Sequence, residues 1–324
     1  MMLALLWLCV FIVSIVALVK GSDYFTDAAE KLGLKLGLSP FLLGVTIVAI
    51  GTSIPELVAS VLGVVEGHSE MVVGNVAGAN IARILLVLGI TAIVGQRLTV
   101  ARELIRVDLP FLVGSAFLMG FMVLDGQFTW IEGLLSLALL FVYMRYTIVF
   151  ERRSDKEIAK EMRSETRHLR SPSYPGVVWH HILVLLVSGA VIYLGGMFTV
   201  RSVVQLANIF GTGTEVVAIT AVALGTSLPE LAVTISAARK HKAEIALGIV
   251  LGSNVFNTLA IMGVSSLFGP LAIPESVLMF SIPVMIASTF LYLFMTQDRE
   301  ITQWEGWLLV IFYAFFFLRI IGVL

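Results

Sequence analysis

Apolar runs of about 20 residues, parted by short polar links, recur along nearly the whole chain. A helix needs about 20 mostly apolar residues to cross a bilayer. Ten segments meet that requirement: 2–20, 41–65, 71–95, 107–124, 129–149, 178–199, 214–238, 244–268, 276–296 and 303–323. Links are as short as Glu66-Gly67-His68-Ser69 and Asp125-Gly126-Gln127. The pattern predicts an all-α polytopic membrane protein with ten transmembrane helices. The first apolar run has no basic n-region and no small-x-small cleavage site before Lys20, so a retained span is expected rather than a signal peptide.

Composition strengthens this picture. The 324 residues are 58% hydrophobic and only 13% charged, with a mean hydropathy of +0.99. A soluble domain carries roughly twice that charge fraction. Placing the N-terminus outside puts 18 of the 21 Lys and Arg residues on the cytoplasmic side, including Lys20, Lys31, Lys35, Arg97, Arg102, Arg106, the Arg145–Arg170 stretch, Arg239, Lys240, Lys242 and Arg299. Arg201 and Arg319 fall outside and Arg83 within a span. The expectation is a multi-pass protein of the cell membrane with both termini extracytoplasmic. Residues 151–175 mix seven basic residues with acidic ones and break at Pro172 and Pro175, which predicts a solvated cytoplasmic connector. It divides a first five-helix half, 1–150, from a second, 176–324. The single cysteine, Cys9, forms no disulfide within the chain, and His68, His168, His180, His181 and His241 fall in or beside expected loops.

The two halves contain one motif twice. Residues 46–95 align without gaps onto 220–269, with 17 of 50 positions identical. The first copy reads TIVAIGTSIPELVAS and then GNVAGANIARILLVLG; the second reads TAVALGTSLPELAVT and then GIVLGSNVFNTLAIMG. One copy begins on the second span and the other on the seventh. Five spans separate them, an odd number, so the copies are expected in opposite orientation. Inverted repeats of this kind place a shared site at their interface near the midplane, formed by broken helices.

The residue types suit a hard cation. Pro55 and Pro229 lack an amide hydrogen and leave the carbonyls of Gly51 and Gly225 without helical donors. In lipid such groups must be satisfied, and a bound ion or trapped water can do it. Thr52, Ser53 and Glu56 share one side of a helix, and the second copy supplies Thr226, Ser227 and Glu230. Two carboxylates, hydroxyls and freed carbonyls make an all-oxygen cage, which Ca²⁺ or Na⁺ prefers. Ionised residues at mid-span cost at least ~3 kcal/mol and are kept for use. Gly74-x3-Gly78 and Gly248-x3-Gly252 read instead as helix-packing faces.

GTSIPEL and GTSLPEL, followed by GAN and GSN, resemble the calcium/cation antiporter superfamily, most closely its prokaryotic sodium/calcium exchanger branch. The resemblance covers the whole chain. It implies that Glu56 and Glu230 bind Ca²⁺ and Na⁺ in alternation and that the carbonyls of Thr52 and Thr226 complete the calcium site. It also implies that the Ala49 and Ala223 carbonyls with Ser53, Ser227 and Ser253 surround the sodium positions. Transport would follow from spans one and six sliding across the other eight. The second copy meets the expected Ser-Asn-x-x-Asn/Asp with Ser253 and Asn257, whereas the first has Ala79 and Arg83 there.

Arg83 is a guanidinium that does not give up its proton, and Glu56 and Glu230 are the acidic side chains expected nearest mid-membrane. The expectation is that Arg83 reaches them as a tethered charge, reducing the site from −2 to −1. Sodium/calcium exchange by alternating access is then the leading function. The alternative is a Ca²⁺/H⁺ or monovalent-cation antiporter in which Arg83 replaces a bound cation. Expected partners are the lipid bilayer and the transported Ca²⁺, Na⁺ and, in the alternative, H⁺; no cofactor and no nucleic acid is expected. An intramembrane enzyme is disfavoured because no His-Glu-x-x-His and no membrane-embedded His is present. A channel is disfavoured because inverted repeats with helix breaks suit alternating access.

Overall fold

The computed structural model describes residues 2–36, 38–100, 104–162, 175–210 and 227–322. Ten helices follow one another among them: α1 (Met2–Leu36), α2 (Pro40–Val65), α3 (Glu70–Gly95), α4 (Leu109–Met122), α5 (Trp130–Met162), α6 (Pro175–Phe210), α7 (Leu228–Arg239), α8 (Ala243–Ser266), α9 (Val277–Met295) and α10 (Gln303–Ile320). Seven of these, α1, α2, α3, α6, α8, α9 and α10, are long and apolar enough to cross a membrane. Of the other three expected spans, 107–124 corresponds to α4 with the turn before it, and 129–149 lies within α5. The expected span 214–238 is described only from Ser227 onward.

Local chemistry sets several boundaries. The expected first span of 2–20 continues to Leu36, because no proline interrupts it and its hydroxyls bond back to their own helix. Ser22 Oγ donates to the Leu18 carbonyl at 2.7 Å and Thr26 Oγ1 to the Ser22 carbonyl at 2.8 Å. α5 runs past its expected end as far as Met162, so the start of the predicted connector is helical. His180 and His181, expected near a loop, lie on α6. The helix break expected at Pro55 is a missing hydrogen bond inside a continuous helix. Single π-helical turns occupy Gly44–Val48 before it, Ala82–Leu88 in α3 and Asn257–Ile261 in α8. Such insertions cluster at functional sites.

α8 is the centre of the bundle, 94% buried over its most apolar stretch, against 11% for α1. Gly248 and Gly252 make that possible: a Cβ on Gly248 would lie 2.6 Å from the Phe41 carbonyl oxygen, and one on Gly252 2.8 Å from Ala49 Cβ. Gly74, expected to form a matching face, meets the Val277 side chain at an ordinary 3.6 Å, so that half of the expectation is not reproduced among the described residues. α1 and α6 lie against each other at the side of the bundle. Ser14 and Thr199 share a hydroxyl hydrogen bond of 2.9 Å, Gly195 faces Leu18, and Gly21 faces Ile192.

Many of these contacts come in pairs separated by 174 residues, the offset of the sequence repeat. Gly21 on Ile192 mirrors Gly195 on Leu18. Strands β1 (Arg97–Thr99) and β4 (Glu300–Thr302) pair antiparallel with Arg97 opposite Thr302. Strands β2 (Gln127–Phe128) and β3 (Leu271–Ala272) pair with Phe128 opposite Leu271, the same register after the offset. At the centre, Asn80 Nδ2 donates to the carbonyl of its own repeat mate, Asn254, at 3.4 Å.

Candidate functional site

Glu56 stands on α2, one residue after Pro55, and Glu230 on the first turn of α7, one residue after Pro229. Both are buried, at 7% and 2% exposure. Arg83 enters between them from the π-helical turn of α3 and is 1% exposed. Its Nη2 donates to Glu56 Oε1 at 2.6 Å and to Glu230 Oε1 at 2.7 Å, while Nε donates to Glu230 Oε2 at 2.8 Å. Glu230 is therefore held by a two-pronged fork and Glu56 by one bond. Bidentate guanidinium–carboxylate pairs of this geometry are the strong kind. One cation against two carboxylates leaves a formal charge of −1.

Thr52 links the two helices as well. Its Oγ1 lies 3.1 Å from the Val48 and Ala49 carbonyls and 3.5 Å from Glu230 Oε1. Ser53 is fully buried on α2, and Ala49 packs against Gly252 of α8, beside Ser253. Ser227 is buried immediately before α7, and Asn257 opens the π-helical turn of α8. Thr226 and Ala223 lie outside the described residues.

Several polar atoms of this set have no hydrogen-bond partner among the described residues: Ser53 Oγ, Glu56 Oε2, Ser253 Oγ, Asn257 Oδ1 and Arg83 Nη1. Unpaired buried oxygens cost about 1–3 kcal/mol each and call for a ligand or water. Four of these five atoms are oxygens, the donor type that hard cations take.

A cleft of about 710 Å³ reaches Glu56 along one side. Thr52, Pro55, Ala59 and Ser60 of α2 line it on one wall and Tyr193, Met197 and Arg201 of α6 on another, with Glu66 and His68 towards one end of α2. The α6 wall was not legible from the repeat, because its signal is spread over an ordinary apolar span.

The match to the family described as sodium/calcium exchanger protein spans residues 6–149 and 180–322. The sodium/calcium exchanger MaX1 of Methanosarcina acetivorans is 34% identical, over 95% of this chain and 96% of its own length. The inner membrane protein YrbG of Escherichia coli is 30% identical, over 82% and 81%. Among solved structures, the sodium-calcium exchanger NCX_Mj soaked without Na⁺ and Ca²⁺ superposes with a TM-score of 0.82 at 26% identity, covering 99% of this chain and all of that one. Two facing copies of a carboxylate-bearing repeat thus come with family matches along both halves, and the chain belongs to the sodium/calcium exchanger protein family.

Proposed function

We propose that this chain is a secondary active antiporter that exchanges Na⁺ for Ca²⁺ by alternating access at the site between Glu56 and Glu230. The convergence of these two repeat-related carboxylates, buried beside a cleft that leads away from one of them, carries the reading. The names of MaX1 and NCX_Mj support the ion pair chosen. In this reading ten spans form two inverted five-helix halves, 1–150 and 176–324, joined by a cytoplasmic connector at 151–175, with both termini outside. Calcium is held by Glu56, Glu230 and the carbonyls of Thr52 and Thr226. Sodium is held by Ser53, Ser227, Ser253, Asn257 and the carbonyls of Ala49 and Ala223.

A second reading is favoured by one observation. Arg83 bonds three of the four carboxylate oxygens and so takes a place that a transported cation would otherwise fill. With the site at −1, one monovalent ion completes neutrality, and the chain would exchange Ca²⁺ against H⁺ or a single monovalent cation. For calcium to enter with both carboxylates free, the guanidinium must swing aside.

Uptake of ⁴⁵Ca²⁺ into proteoliposomes under separate Na⁺, K⁺ and pH gradients tests both. Uptake driven by an outward Na⁺ gradient supports sodium coupling; uptake driven by a pH gradient alone selects the second reading. Absence of calcium movement under every gradient refutes both. Arg83→Asn is expected to raise the number of sodium ions coupled per calcium, read as a steeper sodium dependence, and identical dependence in both proteins removes Arg83 from the coupling.

A further inference from the structure

Two crevices share part of their lining through the repeat: the 174-residue offset carries Val19, Asp23 and Ser236 of one onto Tyr193, Met197 and Leu62 of the other. The first is the cleft of about 710 Å³ between α2 and α6. The second, of about 180 Å³, lies between α7 and α1 and is lined by Val19 and Asp23 of α1 and Leu228, Ser236 and Arg239 of α7. Beyond it, charges join α1 to the loop after α7. Lys240 Nζ lies 2.7 Å from Asp27 Oδ1, and Lys242 Nζ lies 2.5 Å from Glu30 Oε2 and 3.4 Å from Asp27 Oδ1. Ser236 Oγ donates to Asp23 Oδ1 at 2.7 Å, and Lys240 Nζ donates to the Asp23 carbonyl at 2.8 Å.

The offset turns Asp27 into Arg201, Lys240 into Glu66, Lys242 into His68, Asp23 into Met197 and Ser236 into Leu62. All five of these counterparts line the first cleft. The central pair keeps its attraction but exchanges its signs: acid on the long helix and base on the loop at one crevice, base on the long helix and acid on the loop at the other. Glu66 and Arg201 are both exposed and form no ion pair among the described residues. The guanidinium of Arg201 instead sits 5.9 Å from the Phe198 ring. One crevice is thus small and latched, and its counterpart is wide with the two halves of a latch on its walls.

We propose that Glu66 and Arg201 are the closing ion pair of the first cleft, the sign-reversed counterpart of Asp27 and Lys240, and that the two pairs alternate as the antiporter changes the side to which its site opens. The inference rests on the alternating-access reading above. α1 and α6, packed on each other through Gly21, Gly195 and the Ser14–Thr199 bond, move as one body: sliding that separates Asp27 from Lys240 brings Arg201 to Glu66. The latched side has further ion pairs through Lys242, and on the cleft side His68 and Val204 replace their partners. The latch at Asp27 is therefore the stronger, and the resting protein holds the first cleft open. A partly exposed pair is worth a factor of up to about five in the balance between two states.

The test reads cleft accessibility by maleimide labelling of Ala59→Cys in detergent, with Cys9→Ala as background. Asp27→Lys sets like charges against Lys240 and Lys242, and labelling of residue 59 is expected to slow about threefold as the first cleft closes. Adding Arg201→Glu should restore native labelling, because the closing pair is gone; adding both Arg201→Glu and Glu66→Arg should slow it again. Pairing Asp27→Lys with Lys240→Asp should also return labelling to the native rate, which shows that the charge and not misfolding is read. Slowing that is indifferent to Arg201→Glu, or a double exchange at 66 and 201 that does not slow labelling again, overturns the proposal. Since labelling needs no ion flux, a chain that labels as expected yet carries no calcium under any gradient refutes the exchange reading and leaves the two alternating pairs standing.

Discussion

Among the described residues, the two copies of the repeat are alike in backbone and divide the chemistry. Each carries a carboxylate one residue after a proline, and each places a π-helical turn at the matching point of the following helix, Ala82–Leu88 in one and Asn257–Ile261 in the other. Side chains on that shared frame differ. The first copy offers Ala79 and Arg83 where the second offers Ser253 and Asn257. The guanidinium then reaches across to the second copy's Glu230 with two bonds and keeps one for its own copy's Glu56. A duplicated backbone supplies symmetry of position, and single substitutions supply polarity of charge.

That comparison can be broken in order of effect. Glu230→Ala removes two of the three bonds that hold a buried guanidinium, and a loss of about 3–5 kcal/mol of stability is expected, seen as a lower thermal midpoint in mild detergent. Glu56→Ala removes one bond and should cost clearly less; equal losses would mean the two copies are energetically equivalent. Gly252→Ala sets a methyl group against the Val45 backbone and Ala49, with an expected cost of about 1–3 kcal/mol by the same measurement. Asn80 and Asn254 sharpen the point. Asn80 donates to Thr258 at 2.8 Å across the two halves, whereas Asn254 donates to Val250, four residues back on its own helix, at 2.6 Å. Asn80→Ala should therefore cost about 1–2 kcal/mol and Asn254→Ala less. Thr258→Val should reproduce most of the Asn80 loss if the hydrogen bond is its cause. The smallest effect is expected at the surface: Asp27→Asn weakens a partly exposed ion pair and should lower stability by no more than about 1 kcal/mol.

The reason for the Asn80 asymmetry is visible in the sequence only after the structure is known. The offset places Ile84 where the second copy has Thr258, so Asn254 has no hydroxyl to reach and turns to its own helix. Apolar run lengths announced most helices, since a backbone in lipid must satisfy its own hydrogen bonds and a helix does so locally. Their ends were less legible. α1 and α6 run to 35 and 36 residues because helix propensity does not stop where apolar composition does. Pro55 was legible as a lost donor but not as a continuous helix, since the neighbouring bonds carry the chain through it. The glycines show the same limit: Gly248 is a close backbone approach and Gly74 an ordinary contact, although both stand at equivalent places in the motif.

The sequence by itself determined the membrane-spanning class, the duplicated motif, the buried carboxylates at Glu56 and Glu230, and the odd positive charge at Arg83, because each is a matter of residue type and spacing along one chain. Only the tertiary structure decided which oxygens the guanidinium takes, that one crevice is wide and the other small, and that Asp27 pairs with Lys240 while Arg201 and Glu66 stand unpaired among the described residues. Those depend on distances between segments far apart in the chain, and such distances are set by how the helices pack.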